Sequence, residues 1–138
     1  MIQIRHDGFL LKTGPLLRIV RKIAAQLPIR GTVTIKIAAD DEVRALNKKY
    51  RRKDRVTDVL SFILAEKLPG GFYAGDILIC WTQAEKQARA NGHSLQKELL
   101  LLMIHGLLHL HGHDHEKDKG DMLAIQQRLF DAYSGELE

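Results

Sequence analysis

The sequence of 138 residues has a single cysteine and no long apolar stretch, so it lacks the disulfides typical of small secreted proteins and the spans of membrane proteins. Its one cysteine, Cys80, cannot form a disulfide within the chain and lies in an apolar run typical of the protein core. No apolar stretch approaches the roughly 18 residues that a membrane span requires, and the first residues contain no apolar signal core. We therefore expect a cytoplasmic protein that does not bind a membrane.

The chain also lacks internal repeats and low-complexity linkers, and its length predicts a single domain over residues 1–138. Apolar patterning predicts four strands, at 2–5, 32–38, 59–63 and 76–80. The same patterning and capping residues predict helices from Pro15, from a cap at Asp40 to about Tyr50, at 82–90, after a cap at Ser94, and at about 119–133. The predicted fold class is α+β with α/β-like crossovers, in which about four strands form a mixed sheet packed by helices.

Five of the seven histidines lie within residues 105–115, and their spacing predicts a metal site. His105 and His109 are four residues apart, so on a helix both imidazoles project from one face and can bind one ion. Gly112 can end that helix in the left-handed conformation and bring His115 back toward the pair. Three neutral nitrogen ligands with a fourth position left to water are typical of catalytic zinc. We therefore predict one Zn²⁺, with other divalent transition metals as alternatives.

The residues before these histidines predict a rigid support for the metal. Residues 99–104 are apolar on every side of a helix, which is typical of a helix buried in the middle of a domain. Ligands at the end of such a helix are preorganised for an ion. The alternative is a solvated, histidine-rich helix end that binds metal adventitiously. His111 and His113 have the wrong spacing for the same face, and we predict that His111 is a surface residue.

A missing glutamate argues against peptide hydrolysis. Two histidines four apart, followed by a glycine and a third histidine, also form the skeleton of the metzincin peptidase signature, in which a glutamate after the first histidine is the general base. Here that position is Gly106, which has no side chain to accept a proton. The general base of this chain is therefore not identified from the sequence.

Positive charge is concentrated in one segment. Residues 44–55 contain seven basic residues and only one acidic residue, Asp54, whereas the whole chain has a net charge of +4 and the remainder is therefore slightly acidic. A solvated helix face usually mixes charges of both signs, and this segment does not. Such a surface predicts binding to a polyanion, as expected for nucleic acid.

Four motifs resemble the YbeY-type endoribonucleases in their order along the chain. The histidine tract matches the pattern H-G-x-L-H-L-x-G-x-D-H throughout, and the other matches are LNKKYR at 46–51, TDVLSF at 57–62 and GDI at 75–77. The departures are modest and leave the three predicted ligands unchanged: His111 and His113 replace apolar and aromatic residues, and Val56 and Ile63 stand where proline is common.

This resemblance implies a bacterial, metal-dependent hydrolase specific for single-stranded RNA, which acts in ribosomal RNA maturation and quality control of the small ribosomal subunit. It implies that Arg51 lies beside the metal, where a guanidinium can hold a phosphate and stabilise charge in the transition state. The metal would lower the pKa of bound water from about 15.7 toward about 7. The attacking oxygen is either that water or the ribose 2′-hydroxyl. The predicted RNA-binding residues are Lys48, Lys49, Arg52, Lys53 and Arg55.

Two alternatives belong to other functional classes. The first is a non-catalytic RNA-binding ribosome assembly factor, in which the histidines hold a structural metal. The second is a hydrolase of a small phosphoester or a peptide, which a closed apolar pocket beside His109 would favour. Asp58, Ser61 and the pair Gly75 and Asp76 match the family motifs, but we interpret them as strand-end or turn residues. With so few aromatic residues in the chain, we interpret Tyr50 and Trp81 as core or edge residues.

Overall fold

The part of the chain that the structure describes contains four strands and five α-helices, in the order β-α-β-α-β-β-α-α-α. The structure is a computed structural model, and it describes residues 2–6, 13–112 and 120–138. The strands are β1 (Ile2–His6), β2 (Thr32–Ala38), β3 (Val59–Leu68) and β4 (Gly71–Cys80). The helices are α1 (Gly14–Gln26), α2 (Asp40–Arg51), α3 (Trp81–Asn91), α4 (Leu95–Leu110) and α5 (Asp121–Tyr133), followed by a 3₁₀ turn at Ser134–Glu136.

The strands form one mixed sheet in the order β1-β2-β4-β3. β1, β2 and β4 run parallel to one another, whereas β3 pairs with β4 in the antiparallel direction and forms one edge. The predicted α+β class with a four-stranded mixed sheet is confirmed. None of the helices in the described ranges is long and apolar enough to cross a membrane.

The two faces of the sheet are covered unequally. Val33, Ile35 and Ile37 face one way, as their alternation predicts, and they pack with Ile77 and Ile79 in the larger core beneath α1 and α4. On the other face, α2 covers a smaller cluster that includes Ala38, Val43, Leu60, Leu78 and Cys80. Cys80 is a fully buried core residue, as predicted.

Helix α4 lies against the centre of the sheet, and Gly106 allows that close approach. A Cβ atom at this position would lie 2.7 Å from Cγ2 of Ile77 in β4, which is closer than side chains tolerate. Leu99, Leu100, Met103, Ile104 and Leu107 are fully buried around the same helix, so the prediction of a buried apolar helix is confirmed. The helix that carries His105 and His109 is therefore fixed by packing along its length.

The hairpin of β3 and β4 corrects two predictions. The sequence favours a turn at Gly75 that leads into a strand from Asp76, but β4 begins at Gly71, so Gly75 lies inside it and pairs with Ile63. A Cβ atom on Gly75 would lie 2.3 Å from the carbonyl oxygen of Phe62 and 2.7 Å from Cδ2 of Leu110, so glycine is required there by the close approach of strand and helix. Both strands also extend beyond the ranges that the sequence predicts. The sequence did not indicate the extra residues of β3, because most of the outer half of this strand is exposed and carries no apolar alternation.

The predicted helix caps are correct at one position and displaced at another. The hydroxyl of Ser94 accepts a hydrogen bond from the backbone N–H of Lys97, as predicted for the cap of α4. Asp40 is instead the first residue of α2, and Ala39 occupies the cap position. Asp40 accepts hydrogen bonds from Thr82 and Cys80, and the first of these is the main reason that its pKa lies below the ordinary value.

Candidate metal centre and basic surface

The two imidazoles at the end of α4 lie within reach of one metal ion. The Nε2 atoms of His105 and His109 are 3.2 Å apart, and their ring centroids are 4.7 Å apart. Two nitrogen ligands of a tetrahedral zinc ion, each about 2.0–2.1 Å from the metal, lie about 3.3 Å from each other. The separation of the two nitrogens therefore fits a shared zinc ion without movement of α4.

Gln126 on α5 sets the protonation of one of these rings. Nδ1 of His105 lies 2.8 Å from Oε1 of Gln126. An amide oxygen only accepts hydrogen bonds, so this contact favours the tautomer in which a neutral His105 ring carries its proton on Nδ1 and leaves the lone pair of Nε2 for a metal. A partner of this kind also fixes the orientation of a metal-binding ring. Nothing in the sequence spacing distinguishes Gln126 from neighbouring polar residues of α5.

The third predicted ligand, His115, lies outside the described residues, together with His113 and Asp114. Over residues 2–6, 13–112 and 120–138, no group of three metal-binding side chains comes together. Helix α4 ends at Leu110, and Gly112 has a φ of +101°, which is the left-handed conformation that the sequence predicts for this glycine. His111 is exposed, as predicted. The three-histidine site stays a prediction.

The basic segment has one internal ion pair, which leaves most of its positive charge uncompensated. Nε of Arg44 lies 2.7 Å from Oδ1 of Asp54, the one acidic residue of the segment. The hydrogen bond from Arg44 lowers the pKa of Asp54, so this carboxylate stays ionised. The other six basic residues of the segment make no salt bridge with a described residue, and all six are exposed: Lys48, Lys49, Arg51, Arg52, Lys53 and Arg55.

Three of the predicted basic residues meet at one small hollow beside the edge strand β3. Arg51, Lys53 and Arg55 line this hollow, which has a volume of about 180 Å³. Asn47 is buried beneath it and holds the loop that follows α2, because its side chain donates to the carbonyl oxygen of Arg55 and its own carbonyl accepts from the N–H of Lys53. We name these three cations the basic cluster.

The hollow beside the basic cluster is large enough for a phosphate group but not for a nucleotide. Arg51 is the last residue of α2, and its Nη2 donates to the backbone carbonyl of Ser61 on β3 over 2.6 Å. The guanidinium carbon lies 5.7 Å from the centre of the Phe62 ring. This bond uses one of the five guanidinium N–H donors, so Arg51 can contact an anion from the same position.

The other predicted RNA-binding residues surround the basic cluster without lining its hollow. Lys49 extends over the ring of Tyr50, with its Nζ 5.1 Å from the ring centre. Lys48 lies about one turn before Arg51 on α2, close enough to contribute to the low pKa of Asp54 after the larger effects of Arg44. Arg52 ends the helix with a φ of +57°, in the left-handed region where glycine is usual.

The structure corrects the interpretation of Tyr50 and confirms that of Asp58. The sequence favours a core or edge position for Tyr50, but this residue is 57% exposed and packs edge-on against Phe62, with the ring centres 5.5 Å apart. Asp58 is a strand-end residue, as predicted, because its carboxylate accepts a hydrogen bond from the backbone N–H of Val59. Sequence reasoning missed Asn47 altogether, since a buried asparagine in a basic helix gives no periodic signal.

Comparisons with known proteins agree with this fold. A protein-family model described as Endoribonuclease YbeY matches residues 13–134. Two similar proteins carry the same name. The one from Koribacter versatilis is 48% identical over 103 residues, which is 75% of this chain and 65% of that protein, and the one from Solibacter usitatus is 39% identical over 92% of this chain and 83% of that protein.

The match to a third relative covers a smaller part of that relative's length. The chain spans 57% of the length of Endoribonuclease YbeY from Aquifex aeolicus, to which it is 49% identical over 85 residues. The solution structure of TM1509 from Thermotoga maritima has a TM-score of 0.68 and 33% identity, and it covers 99% of this chain and 91% of that one. With the family model matching nearly the whole described fold, the chain belongs to the endoribonuclease YbeY family.

Proposed function

We propose that this chain is a metal-dependent endoribonuclease that cleaves single-stranded RNA. The observation that carries the proposal is the 3.2 Å separation of the two Nε2 atoms of His105 and His109 on a rigid helix. Membership of the endoribonuclease YbeY family supports RNA as the substrate. The uncompensated positive charge around the basic cluster supports binding of a polyanion.

We propose that one zinc ion is held by His105, His109 and His115. When bound, zinc supplies acidity to water and Lewis acidity toward a phosphate oxygen. The histidines would keep the ion at the end of α4, and Gln126 would keep His105 in the tautomer that binds it. Removal of either nitrogen from α4 would leave too few ligands for a tight site.

The chain's own cations would position the RNA. Arg51 would hold the scissile phosphate and stabilise the negative charge that develops on it. Lys53 and Arg55 would bind the same or a neighbouring phosphate in the hollow that they share with Arg51. Lys48, Lys49 and Arg52 would hold the backbone nearby.

We extend the proposal to the precursor of ribosomal RNA, bound with the small ribosomal subunit or its proteins, in the cytoplasm. This part rests on the family resemblance, and residues 1–138 would act as a single domain. The alternative is a non-catalytic assembly factor that binds RNA through the same basic surface and keeps its metal for stability.

The test is cleavage of an unstructured RNA by the wild-type chain and by H109A, with H111A as the matched control. His111 is exposed and two residues away, so its removal changes the histidine content without removing an α4 ligand. We expect wild type and H111A to cleave and H109A to be inactive, with all three folded by circular dichroism.

The products identify the attacking oxygen, and the outcomes separate the two functions. A 2′,3′-cyclic phosphate would indicate attack by the ribose hydroxyl, whereas a phosphate monoester on one new end and a hydroxyl on the other, with no cyclic phosphate at early times, would indicate attack by water. Equal cleavage by wild type and H109A would contradict the proposal. RNA binding without cleavage by any of the three would favour the assembly factor.

A further inference from the structure

A groove lies on the face of the sheet opposite helix α4. A groove of about 510 Å³ runs between α2 and the sheet, and its lining includes Lys36, Tyr50, Phe62 and Asp76. This volume is within the range of about 300–1,000 Å³ that is typical of small-ligand sites. The groove is separate from the α4 face, because the side chains of Lys36, Asp76 and Leu78 alternate with those that pack in the core under α4.

Strand register places polar and apolar side chains next to each other in this groove. Thr34, Asp76 and Phe62 are neighbours on β2, β4 and β3, so their side chains form one row across the sheet. Lys36 and Leu78 belong to the next row on the same face. A flat ligand in the groove would therefore meet apolar surface from Phe62 and Leu78, and hydrogen-bonding groups at one edge.

Asp76 is the polar group most suited to contact such a ligand. Its side chain is exposed on the groove, and no described side chain donates a hydrogen bond to its carboxylate. The surrounding groove still removes enough water to raise the pKa of Asp76, an effect that the positive charge of Arg5 partly offsets. An N–H donor from a ligand would satisfy this carboxylate.

The charges in the groove favour a nucleobase over a phosphate. Glu42 also lines it and is paired with Lys36 at 2.8 Å, and Arg5 faces Asp76, so the charges of the lining balance and leave no excess positive charge for a phosphate. The basic cluster begins next to it, since the Arg51 guanidinium and the Tyr50 ring both lie against Phe62. An RNA strand with its backbone on the basic cluster could therefore place one base in the groove.

We propose that this groove binds an unpaired guanine of the RNA, with the Asp76 carboxylate accepting hydrogen bonds from N1–H and N2–H of the base. The inference rests on the proposed function. Guanine is the base that presents two adjacent N–H donors to a carboxylate, and its O6 acceptor suits the neighbouring cation Lys36. Tyr50 and Phe62 would supply aromatic surface for the base, as in other proteins that bind single strands.

The experiment compares three RNA hexamers that differ at one central position: guanine, inosine and adenine in an otherwise all-adenine sequence. Equilibrium binding is measured by fluorescence anisotropy with metal-free protein, which should leave the RNA intact, for the wild-type chain, D76N and the matched control D41N. Asp41 is an exposed aspartate on α2 that does not line the groove, so D41N makes the same change in charge. Inosine lacks the N2 amino group and so removes one of the two donors.

For the wild-type chain and D41N, we expect the guanine hexamer to bind about tenfold more tightly than the adenine hexamer, with inosine between them. For D76N, this preference should fall to less than about twofold while binding of the adenine hexamer persists. Equal binding of all three hexamers by the wild type, or a guanine preference unchanged in D76N, would overturn the inference and leave the proposed function intact. Failure of every hexamer to bind would overturn both.

Discussion

Helices α4 and α2 carry the two halves of the candidate site, and they hold their functional side chains in different ways. Along α4, nine residues are buried, and the helix contacts the sheet so closely that only glycine fits at position 106. Along α2, Val43 and Asn47 are the buried residues, and the basic side chains at its end are exposed. Packing therefore positions the histidines, whereas a few hydrogen bonds position the cations.

This difference matches what each half has to bind. A metal ion requires ligands placed within a fraction of an ångström, which a packed helix can provide. A phosphate backbone is bound largely through charge, and exposed side chains can adapt to it. Substitutions that disturb packing or ligand orientation should therefore affect α4 strongly, and single charge removals near α2 should have smaller effects.

The largest effect should come from Q126A. Removal of the amide oxygen would free His105 to adopt the tautomer or orientation that does not bind metal, and losses of this kind typically weaken metal affinity by about 10- to 100-fold. Competitive titration of zinc against a chelator measures this change. Q127A is the matched control, because Gln127 is exposed and its side chain bonds instead to Asp131. Equal zinc affinity of Q126A and wild type would exclude the proposed role of Gln126.

G106A should destabilise the fold by about 1–3 kcal/mol, because the new methyl group would overlap Ile77 in a packed core. Urea denaturation monitored by circular dichroism measures the free energy of unfolding. G14A is the control, since nothing lies within 4 Å of a Cβ atom at that position on α1. If both variants were as stable as wild type, α4 would not be held against β4 as tightly as described.

R55A should weaken RNA binding moderately and reduce its salt dependence. One lost phosphate contact on a single strand lowers the slope of log K against log salt by about 0.7. Anisotropy titrations with one RNA at several salt concentrations provide the slope. R89A removes another exposed arginine, which is paired with Glu85 on α3, and its slope should remain that of the wild type. Identical slopes for R55A and wild type would remove Arg55 from the RNA-binding surface.

The smallest effect should be a gain in stability for R52G. Glycine has no Cβ atom to clash at a φ of +57°, which favours the folded state. Because glycine is also more flexible in the unfolded chain, the net gain in the free energy of unfolding should be about 0.5–1 kcal/mol. R52A removes the same charge but keeps the Cβ atom, so the difference between the two variants in urea denaturation isolates the backbone effect. A lower stability of R52G than of R52A would contradict this.

The sequence predicted the features that depend on periodicity. Three such features are present as predicted, and each depends on residues that are close in the chain. They are the alternation at Val33, Ile35 and Ile37, the apolar run before His105, and the cap at Ser94. Features that depend on contacts between distant segments were missed. The bond from Gln126 to His105 and the close approach of Gly75 to Leu110 join residues that are far apart in the chain.

The central claim is that the histidine pair on α4 holds a metal ion on which RNA cleavage depends. The most direct test is the initial rate of RNA cleavage by metal-free protein as zinc is added in steps. We predict no cleavage without metal, and a rate that rises with zinc and reaches its maximum at one ion per chain. A rate that is the same with and without zinc would contradict the account.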